Sequence, residues 1–231
     1  MDKIIASILG ALVLFILTGS LIFLLKSERF SDLRKRLFFK TLCSLMFWFF
    51  GWITFLYSGS GIMPFAAFMI LGFTLSVIGD ILLAFDSDQC FIFGLLMFFL
   101  AQISYCTSFI MRCGFNNRSL IFFVIIAAIA FIIFNFTHLF AFGKMRILAN
   151  LYLLVLSFML ANGLYGLVST QEGLITGLLT ALGALLFFMS DSVLAYEKFS
   201  KKGGLRLEKP VLITYYSAQI LLALGMMTFA L

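Results

Sequence analysis

The sequence predicts an all-α, multi-pass membrane protein built as a bundle of eight transmembrane helices. Of its 231 residues, 63% are hydrophobic and only 11% are charged. Soluble domains typically carry about 25% charged residues, so a water-soluble fold is excluded. The chain has only 2 prolines, which excludes a disordered, low-complexity protein. Its apolar runs are unbroken and do not alternate with polar residues, which argues against the strands of a membrane β-barrel.

Eight apolar stretches are each long enough for one span, because a hydrocarbon core about 30 Å thick needs about 20 apolar residues in a helix. In chain order, the predicted spans are 4–25, 37–57, 64–85, 91–111, 119–138, 147–168, 174–196 and 211–231. The first exceeds the roughly 7–15 residues of a signal-peptide core, so we expect it to remain as an uncleaved span. The short linkers predict a single integral-membrane domain over residues 1–231.

The segments between the spans contain the charged or turn-forming residues that end each apolar stretch. In order, they are 26–36 (basic), 58–63 (Gly and Ser), 86–90 (acidic), 112–118 (Arg, Gly and Asn), 139–146 (Gly, Lys and Arg), 169–173 (polar, ending in Gly) and 197–210 (Lys, Glu and Gly). Such residues are typical of loops between helices.

The distribution of basic residues predicts the orientation of the bundle. Thirteen of the 16 Lys and Arg residues lie in or beside the linkers that follow the first, fifth and seventh spans. They are Lys26, Arg29, Arg34, Lys35, Arg36, Lys40, Lys144, Arg146, Lys198, Lys201, Lys202, Arg206 and Lys209. Only Lys3, Arg112 and Arg118 lie on the opposite side. Because Lys and Arg accumulate in cytoplasmic loops, these three linkers are predicted to be cytoplasmic and both termini non-cytoplasmic.

The net charge of +6 therefore indicates topology, and no nucleic-acid partner is predicted. The lipid bilayer is the predicted partner, with a lesser attraction of the basic residues to anionic headgroups. We expect the plasma membrane if the protein is bacterial and the endoplasmic reticulum membrane if it is eukaryotic. The oligomeric state is left open.

Two segments of the chain resemble each other. Residues 71–85 read LGFTLSVIGDILLAF and residues 182–196 read LGALLFFMSDSVLAY, with Asp80 and Asp191 at the same position. A second match is AQI at 101–103 and at 218–220. The pattern predicts two parallel four-helix halves with equivalent sites at a shared interface, the alternative being chance similarity between apolar sequences.

Two carboxylates fall inside predicted spans, where an ionisable side chain costs about 2.5–3.5 kcal/mol on insertion scales. Asp80 and Asp191 each lie about five residues from the cytoplasmic end of their span, a depth of roughly 8 Å at about 1.5 Å per residue. A carboxylate at this depth costs insertion energy and adds little packing, so we predict a functional role for both.

Further polar side chains fall near the same layer and predict a pocket that opens toward the cytoplasmic side. They are Lys40, Asn150, Tyr215, Tyr216 and Gln219, with Gln102 and Tyr105 nearer the midplane. Tyr and Lys also serve as interfacial anchors, and buried Asn and Gln also join helices through hydrogen bonds. Both interpretations stay open for these residues.

The sequence lacks the motifs of several enzyme classes. His138 is the only histidine, which excludes a multi-histidine metal centre. No GxSxG elbow, Walker loop or GxGxxG fingerprint is present, so nucleophilic-serine, nucleotide-driven and dinucleotide chemistry lack support. We therefore predict neither a metal nor another cofactor.

Four motifs occur in order along the chain. They are GDILLAF at 79–85, Gly94 with AQISY at 101–105, SDSVLAYEKF at 190–199 and TYYSAQILLALG at 214–225. From Lys40 onward the sequence resembles the YhhN-like membrane proteins, a family that includes the lysoplasmalogenases. It differs in having Gln102 where many relatives have His, and Thr41 where Pro is frequent.

The resemblance implies hydrolysis of the vinyl ether bond of lysoplasmalogens, which are lysophospholipids, to a fatty aldehyde and a glycerophospho-headgroup compound. Hydrolysis begins with protonation of the alkenyl β-carbon, and water then adds to the oxocarbenium ion. Asp80 and Asp191 would form an acid–base pair, as paired carboxylates do in glycosidases, with either one as the acid.

The same resemblance gives the other polar residues supporting roles. Lys40 would meet the phosphate, and the remaining residues would bind substrate or orient water or a carboxylate; they are Gln102, Tyr105, Asn150, Tyr215, Tyr216 and Gln219. The main alternative is a proton-coupled transporter of small molecules or lipids that uses the same carboxylates. A third is a non-catalytic membrane scaffold.

Overall fold

Eight long α-helices make up the bundle in a computed structural model that describes residues 3–27, 33–58, 63–137, 139–169, 173–201 and 207–228. They are α1 (Lys3–Ser27), α2 (Leu33–Ser58), α3 (Met63–Leu82), α4 (Asp88–Cys113), α5 (Asn117–Phe136), α6 (Arg146–Tyr165), α7 (Leu174–Phe199) and α8 (Glu208–Thr228). Each is long and apolar enough to cross a membrane, so the predicted eight-span, all-α bundle is confirmed. Arg29, His138, Lys202, Arg206 and the end of the eighth predicted span lie outside the described residues.

Two helix boundaries differ from the predicted spans for a reason visible in the contacts. Helix α2 begins at Leu33 instead of residue 37, and α3 ends at Leu82 instead of residue 85. The added turn of α2 contains Arg36, whose guanidinium donates to the Ala84 carbonyl and to Asp86 Oδ1, the latter at 2.9 Å. Arginine at a helix C-terminus satisfies carbonyls that the helix leaves unpaired. Arg36, which stands just before the predicted apolar stretch, thus connects the start of α2 to the turn that follows α3.

The helix neighbours follow the pattern expected of two equivalent halves. Helices pair along the chain as α1 with α2, α3 with α4, α5 with α6 and α7 with α8. Helix α2 also packs against α3 and α8, while α6 packs against α7 and α4. Exchanging α1–α4 for α5–α8 converts each of these contacts into another of the set. The packing therefore agrees with the repeat seen in the sequence, and it places α2, α3, α4, α6, α7 and α8 around the centre.

The centre of the bundle is aromatic and its outer surface is apolar. The Tyr215 ring lies 5.6 Å from Phe98, 5.8 Å from Phe187 and 6.0 Å from Phe47, between ring centroids. On the outside, large apolar side chains such as Phe15 are exposed, at 78%. An apolar outer surface is suited to contact with lipid tails.

Small residues bring the paired helices close at equivalent positions of the two halves. A side chain at Gly72 on α3 would collide with the Tyr105 ring on α4. A Cβ at Gly183 on α7 would lie 2.9 Å from the Leu222 side chain on α8. Glycine at these two positions lets a large side chain of the partner helix pack against the backbone.

Candidate active site

A cavity of about 450 Å³ opens at the end of the bundle that carries the basic linkers, and residues of α2, α3, α4, α7 and α8 line it. Its lining includes Lys40, Asp80, Asp191, Lys198 and Tyr215. The two aspartates, which are far apart in the chain, therefore face the same space. The mouth is formed by the turn between α3 and α4 together with the ends of α7 and α8.

Asp80 on α3 is buried, at 2% exposure, and its charge is compensated from two sides. Ser44 Oγ on α2 donates to Asp80 Oδ2 at 2.6 Å, and the Tyr215 hydroxyl on α8 donates to the same oxygen at 2.8 Å. The Lys40 ammonium lies 3.9 Å from Oδ1. A buried carboxylate is tolerated when it has hydrogen-bond donors and a counter-charge, and Asp80 has both.

Asp191 on α7 has a different environment. Gln102 Nε2 on α4 donates to Asp191 Oδ2 at 2.9 Å, and the Tyr152 hydroxyl on α6 donates to the same oxygen. Within the described ranges no Lys or Arg forms an ion pair with Asp191. Neutral donors alone therefore hold this carboxyl, and Oδ1 has no hydrogen bond from a described residue.

Tyr216 lies beside the Asp80 cluster on α8. Its hydroxyl donates to the Lys40 carbonyl at 3.3 Å and is 3.4 Å from Ser44 Oγ. The side chain is fully buried, so it supports α2 from behind the cavity and does not line it.

Tyr105 and Gln219 form a second buried polar cluster, deeper in the bundle. The Tyr105 hydroxyl donates to Gln219 Oε1 at 2.8 Å and lies 3.2 Å from Ser76 Oγ. All three side chains are fully buried. They join α3, α4 and α8 and do not line the cavity. Gln219 Nε2 and Gln102 Oε1 have no hydrogen-bond partner among the described residues.

Asn150 lies away from both aspartates. Its side chain bonds to Asn135 on α5, at 2.9 Å and 3.3 Å between the paired amide atoms, and neither residue lines the cavity. Arg146 Nε also donates to Asn135 Oδ1, at 3.1 Å. Asn150 therefore joins α6 to α5 in this structure. Its role in orienting water or a carboxylate stays a prediction.

Tyr152 and Ser44 contact the two carboxylates but were not among the residues predicted from the sequence. Ser44 is four residues after Lys40 on α2 and so lies on the same helix face, which is a usable signal. Tyr152 lies six residues into α6, at a depth similar to that of the aspartates. A search for every hydroxyl at this depth would have included both.

The site presents two carboxyl groups in one cavity: Asp80 is buried beside a cation, and Asp191 is partly buried and held by neutral donors. Differing environments of this kind allow one carboxyl to be protonated while its partner is ionised. Such a pair is suited to acid–base chemistry on a substrate that reaches the cavity from the membrane surface.

Comparisons with known proteins agree with the motifs. A model of the YhhN family matches residues 35–226. The Bos taurus protein named "Lysoplasmalogenase TMEM86A" is 30% identical over 180 residues, covering 75% of this chain and 72% of that protein. The Homo sapiens protein of the same name is 28% identical over 178 residues, with the same coverage. No solved structure gives a significant match.

Proposed function

Because the chain belongs to the YhhN family, we propose that it is a membrane hydrolase that cleaves the vinyl ether bond of lysoplasmalogens. The products are a fatty aldehyde and a glycerophospho-headgroup compound. Support comes from the relatives named lysoplasmalogenase and from one observation above all, the placement of Asp80 and Asp191 in a single cavity. The unequal surroundings of these two carboxyls suggest a division of roles.

Asp191 is the acid in this proposal. Asp191 has no ion-pair partner among the described residues, and both of its donors are on Oδ2, so the proton of the acid form is placed on Oδ1. That proton passes to the alkenyl carbon farther from the ether oxygen, and the C=C electron pair forms the new C–H bond. The carbon next to the oxygen becomes an oxocarbenium ion, and Asp191 is left as a carboxylate.

Asp80 is the permanent carboxylate. With Lys40 at 3.9 Å and two hydroxyl donors, it keeps a negative charge in the cavity where the oxocarbenium ion forms. A fixed charge of opposite sign in a site sheltered from water lowers the energy of the transition state that leads to this ion.

Water completes the reaction. It adds to the cationic carbon while the Asp191 carboxylate accepts one of its protons, which regenerates the acid. The resulting hemiacetal breaks its C–O bond to glycerol, the hydroxyl proton moves to the glycerol oxygen, and the aldehyde is released. The phosphate of the substrate lies toward the cationic side of the cavity, where Arg36 and Lys40 are found.

The experiment is to measure aldehyde release from lysoplasmenylethanolamine by the purified protein in detergent. Asp80→Asn and Asp191→Asn should each lower the rate by about 100-fold or more, since a positioned acid contributes at least that much, and so does a group that stabilises the charge of the transition state. Asn117→Ala is the control, because Asn117 is exposed at the start of α5 and does not line the cavity, and the rate of this variant should stay within about twofold.

An unchanged rate of aldehyde release by Asp80→Asn or by Asp191→Asn would disprove the proposal that the two carboxyl groups act together. No release by the unmodified protein, together with substrate flux in sealed liposomes, would instead support the transporter. The two outcomes are separable because transport needs a closed compartment and hydrolysis does not.

A further inference from the structure

A second, narrower cavity lies beside Asp191, between α4, α6 and α7. Apart from Asp191, Tyr152 and Ser192, its lining is apolar. We call it the tail groove, and its main apolar residues are Phe91, Leu95, Ala149, Leu153, Leu156 and Ala195. Its lining residues on α6 run from Leu148 to Leu156, which is roughly 12 Å along the helix at about 1.5 Å per residue.

The tail groove adjoins the main cavity. Both are lined by Phe91, Met145, Asp191, Leu194 and Phe199. The two spaces therefore share a wall of residues that includes Asp191, and a molecule that contacts Asp191 in the main cavity lies next to the tail groove. Asp191 stands at the boundary between a charged space and an apolar one.

An aromatic stack covers the tail groove at the end nearest the basic linkers. The Phe134, Phe140 and Phe142 rings stack, with 4.4 Å between the centroids of Phe134 and Phe140 and 5.2 Å between those of Phe140 and Phe142. The segment is fixed to α7, because the Ala141 amide donates to the Phe199 carbonyl at 2.7 Å. Phe134 and Phe142 line the groove, so the stack adds apolar surface at this end, as a site for a hydrocarbon chain requires.

The corresponding position in the other half of the bundle is filled. Beside Asp80, the space on α2 and α8 is occupied by Lys40, Ser44 and Tyr216. The site therefore has a cationic side at Asp80 and an apolar side at Asp191. A lipid with one chain and one anionic headgroup has this same polarity.

We propose that the tail groove binds the hydrocarbon chain of the single-chain lipid substrate and places the scissile bond at Asp191. This inference rests on the proposed function and adds the direction in which the substrate lies, with its headgroup toward Lys40 and its chain along α6. Ala149 and Ala195 are then specificity-determining residues, because a larger side chain at either position shortens the groove.

The kinetic experiment compares lysoplasmalogens of decreasing alkenyl chain length. Ala149→Phe and Ala195→Phe should lower kcat/KM for the longest chain by about fourfold for each methylene kept out of the groove, and the loss should shrink as the chain shortens. Ala128→Phe on the exposed face of α5 is the matched control and should leave the chain-length profile unchanged. A profile that both groove variants leave unchanged would overturn the inference.

A binding experiment gives a result even if the protein is not a hydrolase. A lysophospholipid with an uncleavable alkyl ether and a diazirine at the chain end is photo-crosslinked to the protein, and the labelled peptides are identified. Labels at Leu95, Leu153 or Leu156 are expected, and excess single-chain lipid should compete. Labels confined to other helices, or competition only by diacyl phospholipid, would show that the groove does not hold this chain.

Discussion

Asp191 depends on two side chains that approach the same carboxyl oxygen. Gln102 and Tyr152 come from α4 and α6, so the carboxyl is fixed in rotation as well as in position. In the proposed mechanism, the hydrogen bonds on Oδ2 leave Oδ1 as the oxygen that carries the proton to the substrate. A general acid needs this kind of positioning within hydrogen-bond reach of the reacting atom. We therefore regard Tyr152 as a positioning residue for Asp191.

Tyr152→Phe tests this role with minimal change of volume. Hydrogen bonds to a charged group contribute about 1.5–3 kcal/mol, so we expect kcat for aldehyde release to fall by about tenfold or more. KM should change less than kcat, because the hydroxyl contacts the carboxyl and not the bound lipid. Tyr165→Phe, at the far end of the same helix, is the matched control and should retain normal kcat. Equal effects of the two variants on kcat would contradict the role.

Between elements, the pairing of α3 with α4 depends on Gly72. The Tyr105 ring packs against its backbone and cannot retreat, because Phe73 and Phe187 enclose it at 5.6 Å and 6.1 Å between ring centroids. The hydroxyl of the same tyrosine donates to Gln219 on α8. One glycine therefore positions a residue that joins three helices.

Gly72→Ala should lower the thermal unfolding midpoint, because overpacking of a tight core costs about 1–3 kcal/mol. Gly19→Ala in α1 is the matched control, since no atom lies within 4 Å of the added Cβ. Alanine is the better helix former, so the midpoint of that variant should be unchanged or slightly raised. Thermal unfolding of both variants in one detergent measures the difference. Equal midpoints would mean that the Tyr105 ring moves aside without cost.

The helices themselves could be predicted from the sequence because the length of an apolar run is a local property. Asp80 and Asp191 could be predicted for a related reason, since a carboxylate in a span is costly wherever its helix faces. Side-chain partners could not, because they depend on the rotation of each helix about its axis. In a membrane bundle both the outer and inner helix faces are apolar, so hydrophobicity indicates this rotation only weakly.

Helix α6 illustrates the difficulty. Asn150 and Tyr152 are two residues apart, which separates them by about 200° around the helix. One side chain therefore meets Asn135 on α5 and the other meets Asp191 on α7. The sequence suggested the first for the site, yet the second contacts the carboxyl. Ser44 posed a similar problem, because a hydroxyl in a helix can bond to its own backbone, and the Lys40 carbonyl oxygen, 2.9 Å from Ser44 Oγ, competes with Asp80 for its one proton.

At the scale of the whole molecule, a nearly symmetric bundle contains an asymmetric site. The two halves contribute equivalent aspartates, while the residues around them have diverged into a cationic side and an apolar side. Arg36 and Lys40, counted from the sequence as topology signals, also cap α3 and pair with Asp80. The end of the bundle that determines orientation is thus also the end where the cavity opens.

Because the cavity opens at the basic end of the bundle, the orientation of the protein predicts the side of the membrane from which the substrate enters. The basic linkers predict that the cavity mouth is cytoplasmic. Ala141→Cys and Asn117→Cys place exposed thiols at opposite ends of α5 without removing a charge. In intact cells a membrane-impermeant maleimide should label Asn117→Cys and spare Ala141→Cys, and permeabilised cells should label both. The unmodified chain is the control for its own cysteines, of which Cys43, Cys106 and Cys113 are buried.

Labelling of Ala141→Cys from outside would show that the topology is the reverse of the predicted one and that the cavity mouth is on the other surface. The expected result means that the substrate reaches Asp80 and Asp191 from the cytoplasmic leaflet, because the end of α5 labelled from within is the one beside the cavity mouth.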